Sequence, residues 1–191
     1  MEAPANLLPT GLVRWWIGAW SRITHNARPA IAQWAIYVAA HKDTTTRMAY
    51  EEVRPIPEPP RRDYRLEWGQ GKVVTTDCSG FSLIVSDLAG VNVDPTGNRW
   101  DGAGYSVEFF TDPSNRHLSI GQIRPGDFVV YGPYGDEHIA VIVRSRGEAL
   151  VCSHGHPGDP SIYPLADDTR LPRTFIRINS YARRANFPPK G

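Results

Sequence analysis

The stretch TTDCSGFSLIVSDLAG, residues 75–90, decides how the rest of the chain is read. Phe81, Ile84, Val85 and Leu88 recur at helical spacing and Gly90 is placed to stop a helix, so the pattern predicts a helix over 79–89. Cys78 then stands at its very start. The free N–H groups and positive dipole end of a helix N-terminus favour thiolate over thiol, which turns a weak nucleophile into a strong one near neutral pH. A lone cysteine is more often a small buried hydrophobe. Here the neighbours Asp77, Ser79 and Gly80 are polar or small, which argues against an apolar site.

Composition sets the frame around this helix. The chain has 191 residues, 21 Lys plus Arg against 20 Asp plus Glu, 41% apolar residues, 17 Gly, 17 Pro and six Trp. That suits one globular domain with short extensions, and it excludes disordered, collagen-like and low-complexity classes. A net charge of +1 leaves no global nucleic-acid footprint. No run of about 18 apolar residues exists, so no spanning helix is expected. The start, MEAPANLLPTGLVRWW, lacks the basic and apolar regions of a signal peptide. Two cysteines exclude a disulfide framework; a single bridge between Cys78 and Cys152 would consume the nucleophile.

Outward from the cysteine helix, the order of elements predicts an α+β fold. Leu12, Trp15, Trp16, Ala19, Trp20 and Ile23 stripe a short front helix, suited to packing on the domain or a partner, or to a membrane interface. A second helix is expected from Pro29 to His41, followed by an extended proline-rich connector, RPIPEPPRR, at 54–62. Residues 91–104 read as a loop. Strands follow at 127–131, 138–144, 149–153 and 174–178, with RSRGE (144–148) closing a hairpin between the second and third. The expected organisation is an extension over 1–25, a catalytic domain over 26–182 and a tail or linker start over 183–191.

A thiolate nucleophile needs a base, and the base needs a polar group to orient its ring. His138 opens the strand HIAVIV and His154 ends the strand LVCSH. Antiparallel pairing places both at the same end of the hairpin, where they are expected to lie side by side. Alternation puts Cys152 and His154 on one face, Val151 and Ser153 on the other. Either histidine alone is more simply an edge or loop residue; the combination with Cys78 carries the inference.

Together TTDCSGF, the Pro-Gly-Asp turn of IRPGDFVVYG, EHIAVIV and LVCSHG resemble the NlpC/P60 group of papain-like cysteine peptidases. They resemble most the form found in endolysins of bacteriophages that infect actinobacteria. The resemblance covers roughly residues 68–178 and rests on three motifs in the expected order. It implies Cys78 as nucleophile, His138 as general base and His154 as the residue orienting it, with His156 as rival for that third role. The family often has a tyrosine two residues before a Trp-Gly pair, beside the oxyanion. Here Leu66 holds that place before Trp68 and Gly69, with Tyr64 expected further along the same strand face. The backbone N–H of Cys78, with Asp77 or Ser79 nearby, is then expected to serve the oxyanion. Trp100 and Tyr105 are expected to wall the cleft.

The resemblance further implies cleavage of peptidoglycan stem peptides, commonly between D-γ-glutamate and diaminopimelate, with no metal or organic cofactor. Bacterial peptidoglycan is the expected partner, nucleic acid is not, and the termini are candidate attachment points for a docking partner or wall-binding domain. Without a signal peptide, the protein is expected in the host cytoplasm before release or on the virion. Three other readings compete: a CHAP-type amidase releasing the stem peptide from the glycan, a non-catalytic phage structural or wall-binding module, and a zinc cluster built from Cys152, His154, His156 and Asp159.

Overall fold

The computed structural model describes residues 27–52, 64–91, 106–156 and 158–178. The front helix, the proline-rich connector, the 92–104 loop with Trp100, Tyr105 and the C-terminal tail lie outside the described residues.

Helix α1 spans Arg28–His41, with Pro29 in the first turn, where its missing N–H costs nothing. Short strand β1 (Met48–Tyr50) pairs in parallel with β2 (Val74–Thr76), and the six-residue helix α2 (Tyr64–Gly69) lies between them in sequence. Helix α3 runs Cys78–Leu88, and Gly90 beyond its end takes a φ of 81°, the left-handed conformation that terminates a helix. Helix α4 (Ser106–Thr111) leads into β3 (Arg116–Leu118), β4 (Phe128–Tyr131), β5 (His138–Arg144), β6 (Leu150–Ser153), β7 (Ser161–Pro164) and β8 (Arg173–Arg177). These six strands form one antiparallel sheet in the order β3-β8-β4-β5-β6-β7. The fold is α+β, as expected.

The sheet has a core on each face. On one, α1 and α3 bury Ile31, Val38, Phe81, Ile84 and Val85 against Phe128, Val130, Ile139, Val141 and Cys152. On the other, Val129, Tyr131, Ala140, Ile142 and Val151 pack with Ile123 and Leu165. Both faces are covered, so β4 and β5 are apolar nearly throughout rather than alternating.

The Pro-Gly-Asp turn locks helix α1 to the sheet. Gly126 has a φ of 86°, and a Cβ there would run into the Arg28 backbone. Asp127 is fully buried and receives Arg177 Nη2 at 2.8 Å, with Arg28 Nη1 at 3.9 Å. Desolvating a carboxylate is tolerable only with such partners.

One local expectation fails. Tyr64, Leu66 and Trp68 belong to helix α2 rather than to a strand. A helix does not set alternate residues on one face as a strand does, so the expected strand-face alignment is lost. Trp68 is buried in the core and its indole N–H donates to the Arg47 carbonyl at 3.2 Å, which makes it a packing residue.

Candidate active site

Cys78 is the first residue of α3 and is partly buried against the helix-face core. Asp77 caps the helix: its backbone is extended, and its carboxylate accepts Gly80 N–H at 2.7 Å and Ser79 Oγ–H at 2.9 Å. The side chains of Asp77 and Ser79 are thus engaged with each other inside the first turn, and Ser79 is 1% exposed. Gly80 is required by close packing, because a Cβ there would overlap Thr76 Oγ1 at the end of β2. The DCSG motif therefore fixes the cysteine by three devices: a cap, a buried hydroxyl and a missing side chain.

The two histidines do stand at the same end of the β5–β6 hairpin, but they do not lie side by side. Ala140 pairs with Ser153 and Ile142 with Val151, whereas Arg144 pairs with Leu150. A bulge between Ile142 and Arg144 accounts for the odd residue. Continued without it, the Arg144 to Leu150 register would set His154 opposite Ala140, on the face of His138. With it, Ser153 takes that position and His154 turns to the other face.

His138 projects to the face of Tyr131, Ala140 and Ser153. Its Nε2 and Ser153 Oγ are 2.7 Å apart, its ring tilts against Tyr131 at 5.6 Å between centroids, and it is 4% exposed. Burial, aided by the Arg170 guanidinium, pushes its pKa down to about 4. The imidazole is therefore neutral near pH 7 and able to accept a proton. Gly155 lies so close that a Cβ would sit 2.7 Å from His138 Cε1. The hydrogen-bond partner expected of His154, or of its rival His156, is thus Ser153.

His154 lies on the helix side. It is fully buried, with Phe81 and Tyr50 rings each 5.6 Å from its own and its Nε2 3.3 Å from the Ala49 carbonyl. Among the described residues its Nδ1 has no hydrogen bond of good geometry, although the Thr76 main chain also acts on the ring. Burial lowers its pKa, partly opposed by the Ala49 carbonyl. His156 is exposed, with Nε2 at 3.2 Å from Arg170 Nη2 and its main-chain N–H donating to Asp159 Oδ2 at 2.9 Å.

Tyr50 is a site residue that the sequence did not single out. Parallel pairing of β1 with β2 sets Tyr50 across from Thr76, two residues before Cys78. Desolvation, then the charges of Glu52, Cys78 and Asp77, raise its pKa. Three-residue β1 is too short to show a strand pattern, so nothing in the sequence announces this neighbour.

Cys152 is buried on the helix side, 3.6 Å from the Ala35 carbonyl, and burial pushes its thiol pKa up. Neither cysteine is in a disulfide. Among the described residues no three His, Cys, Asp or Glu converge on a metal-binding position. The zinc reading fails on local geometry, since His154 is turned into the core while His156 is held outside by Arg170.

What fold and site define is an α+β domain in which a capped helix presents a cysteine and a six-stranded antiparallel sheet holds a buried neutral histidine. Three solved structures match the chain. The P60 domain of an antigen from M. avium subspecies paratuberculosis matches at 21% identity, over 81% of this chain and 97% of that one, with a TM-score of 0.48. The peptidoglycan hydrolase RipB from Mycobacterium tuberculosis matches at 22% identity, over 86% and 78%, with a TM-score of 0.45. A mutated form of the resuscitation promoting factor interacting protein RipA matches at 22% identity, over 77% and 63%, with a TM-score of 0.42. No protein-family model matches the chain, and neither does any curated protein.

Proposed function

We propose that this chain is a thiol hydrolase of peptidoglycan stem peptides, of the NlpC/P60 kind that its motifs resemble, acting in bacteriophage lysis or wall penetration. Two observations support the chemistry: Cys78 opens a capped helix, and His138, at the end of the β5–β6 hairpin, is buried and neutral with its Nε2 engaged by Ser153. Engagement of Nε2 leaves Nδ1 as the nitrogen that exchanges a proton. Cys78 gives its thiol proton to neutral His138, the resulting thiolate attacks the amide carbonyl carbon, and the C–N bond breaks as His138 passes that proton to the leaving amine. Water, losing a proton to His138, then attacks the thioester and releases the acid and the thiolate. The Cys78 backbone N–H stabilises the oxyanion, and Tyr50 fills the place left without the family's tyrosine. The bond we assign is D-γ-glutamyl-diaminopimelate.

A second assignment of the base rests on one specific observation. His154 lies on the helix side with Phe81 and Tyr50, where Cys78 also packs against the core, and its buried Nδ1 has no hydrogen bond of good geometry among the described residues. In that version His154 takes the proton and His138 is structural.

The test is mass spectrometry of muropeptides released from diaminopimelate-type peptidoglycan by the wild type and by Cys78→Ala. New termini at the glutamyl-diaminopimelate bond, absent with Cys78→Ala, support the proposal. Release of whole stem peptides from the glycan would point to a CHAP-type amidase. Equal release by both proteins would exclude a thiol mechanism, and no release by either would favour a wall-binding module.

A further inference from the structure

Behind His138, on the sheet face away from the helices, lies a run of polar side chains that the resemblance does not predict. Ser153 Oγ contacts His138 Nε2 at 2.7 Å. Tyr163, on the neighbouring strand β7, pairs with Val151 and so shares that face, diagonal to Ser153, with which its hydroxyl interacts. Tyr163 Oη donates to Asp168 Oδ2 at 3.0 Å. Asp168 is 5% exposed and is held in turn by Arg170, whose Nη1 reaches Oδ2 at 2.9 Å and whose backbone N–H reaches Oδ1 at 3.1 Å. A buried carboxylate ion-paired and hydrogen-bonded in this way stays ionised.

An ionised carboxylate only accepts hydrogen bonds, and this fixes the direction of every bond leading to it. Tyr163 gives its proton to Asp168, which leaves its oxygen as an acceptor facing the Ser153 side chain and the Arg170 guanidinium. With its proton turned to Tyr163, Ser153 accepts from His138, and the ring nitrogen facing Ser153 then carries hydrogen.

We propose that Asp168 and Tyr163 are positioning residues that act through Ser153 to hold His138 as its Nε2–H tautomer, so that Nδ1 is left as the proton acceptor. This deepens the proposed thiol mechanism and rests on it for its use in catalysis. It replaces a single orienting residue by a relay of two hydroxyls ending in a carboxylate. The charge that steers the base thus sits two side chains away from it, on the far side of the sheet from α3. Other charged groups face His138: the Arg170 guanidinium disfavours its protonation, as does His156, while Asp159 and Asp168 favour it.

The experiment reads the tautomer directly, by nitrogen NMR of the full chain with 15N-labelled histidine rings, the His138 signals being identified with His138→Gln. The expected wild-type result is a protonated Nε2 and an unprotonated Nδ1 near neutral pH. Tyr163→Phe, which keeps the ring packing, and Asp168→Asn should both convert that signature to a tautomer mixture. In hydrolysis assays each should lower kcat several-fold with KM unchanged, and each should move the acid limb of the pH–rate profile. A wild-type ring protonated on Nδ1 overturns the proposal. So does a Tyr163→Phe variant whose tautomer and pH profile match the wild type. The spectra need no substrate, so a fixed Nε2–H tautomer in a chain that cleaves nothing would sustain the relay and remove the hydrolase. A cleaving chain with the opposite tautomer would do the reverse.

Discussion

His138 and His154 stand at the same end of one hairpin and burial lowers the pKa of both, yet their surroundings differ in kind. His138 meets hydroxyls and charges: Ser153, and beyond it Arg170, Asp168 and Asp159. His154 meets the rings of Phe81 and Tyr50 and the main chain of β1. A polar network gives a base a defined proton and a defined lone pair. An aromatic cage packs the ring and offers its nitrogens only main-chain neighbours. One bulged residue between Ile142 and Arg144 decides which histidine receives which environment.

The comparison is broken most decisively by paired substitutions. His138→Ala is expected to lower peptidoglycan hydrolysis by about 10²–10⁴-fold, the usual worth of a general base, without unfolding the domain. His154→Ala is expected to cost less than about tenfold in rate but about 2 kcal/mol in stability, because it empties a packed position. Denaturant unfolding beside muropeptide release checks both. The reverse pattern would move the base to His154.

Acid titration gives the next largest effect. A histidine near 6.5 in the unfolded chain and about 4 when folded binds its proton preferentially in the unfolded state. Its contribution to stability is complete above 6.5 and is lost as pH falls from there towards 4. The shift corresponds to about 3 kcal/mol for a fully desolvated ring. His154 is shifted in the same direction. Unfolding curves between pH 7 and 4 should therefore fall steeply for the wild type and less steeply for His138→Gln. Parallel slopes would show that His138 is not buried neutral.

How far the sequence could be read follows from the same hairpin. Helices α1 and α3 and strands β4, β5, β6 and β8 are visible because each carries an apolar run or helical stripe long enough to declare its period. The three-residue strands β1, β2 and β3 carry no such run, so Tyr50 was invisible beside Cys78. Cys78 and His138 stand out in the sequence as candidates because each opens an element. Ser153 was not legible as the partner of His138, since RSRGE reads as a plain turn and a bulge changes face parity without changing composition. Tyr163, Asp168 and Arg170 come from chain beyond the hairpin, joined to the site only by the β6–β7 pairing.

A smaller change tests the closeness of fit on the polar side alone. Gly155→Ala places a methyl group 2.7 Å from His138 Cε1, a distance real contacts do not tolerate, so the ring must shift off Ser153. The expected outcome is an about tenfold loss of hydrolysis, the size of effect a misplaced base produces, with Cys78 alkylation unchanged. An unaffected rate would mean that the ring position is not critical.

The smallest effect is expected from Cys152, and it bears on the helix side of the comparison. Cys152 and Cys78 both touch the core beneath α1 and α3, but Cys152 is sealed and its thiol is pushed up by burial, while Cys78 is partly open. Alkylation follows the accessible thiolate. Iodoacetamide at mild pH should therefore modify Cys78 and spare Cys152 in the folded chain, with peptide mapping locating the label. Cys152→Ala removes one buried sulfur and its weak contact to Ala35, at a cost of about 1 kcal/mol, and should leave hydrolysis unchanged. If it abolished activity with the fold intact, the chemistry would involve the face of His154 and Cys152, and the assignment of His138 as base would have to be given up.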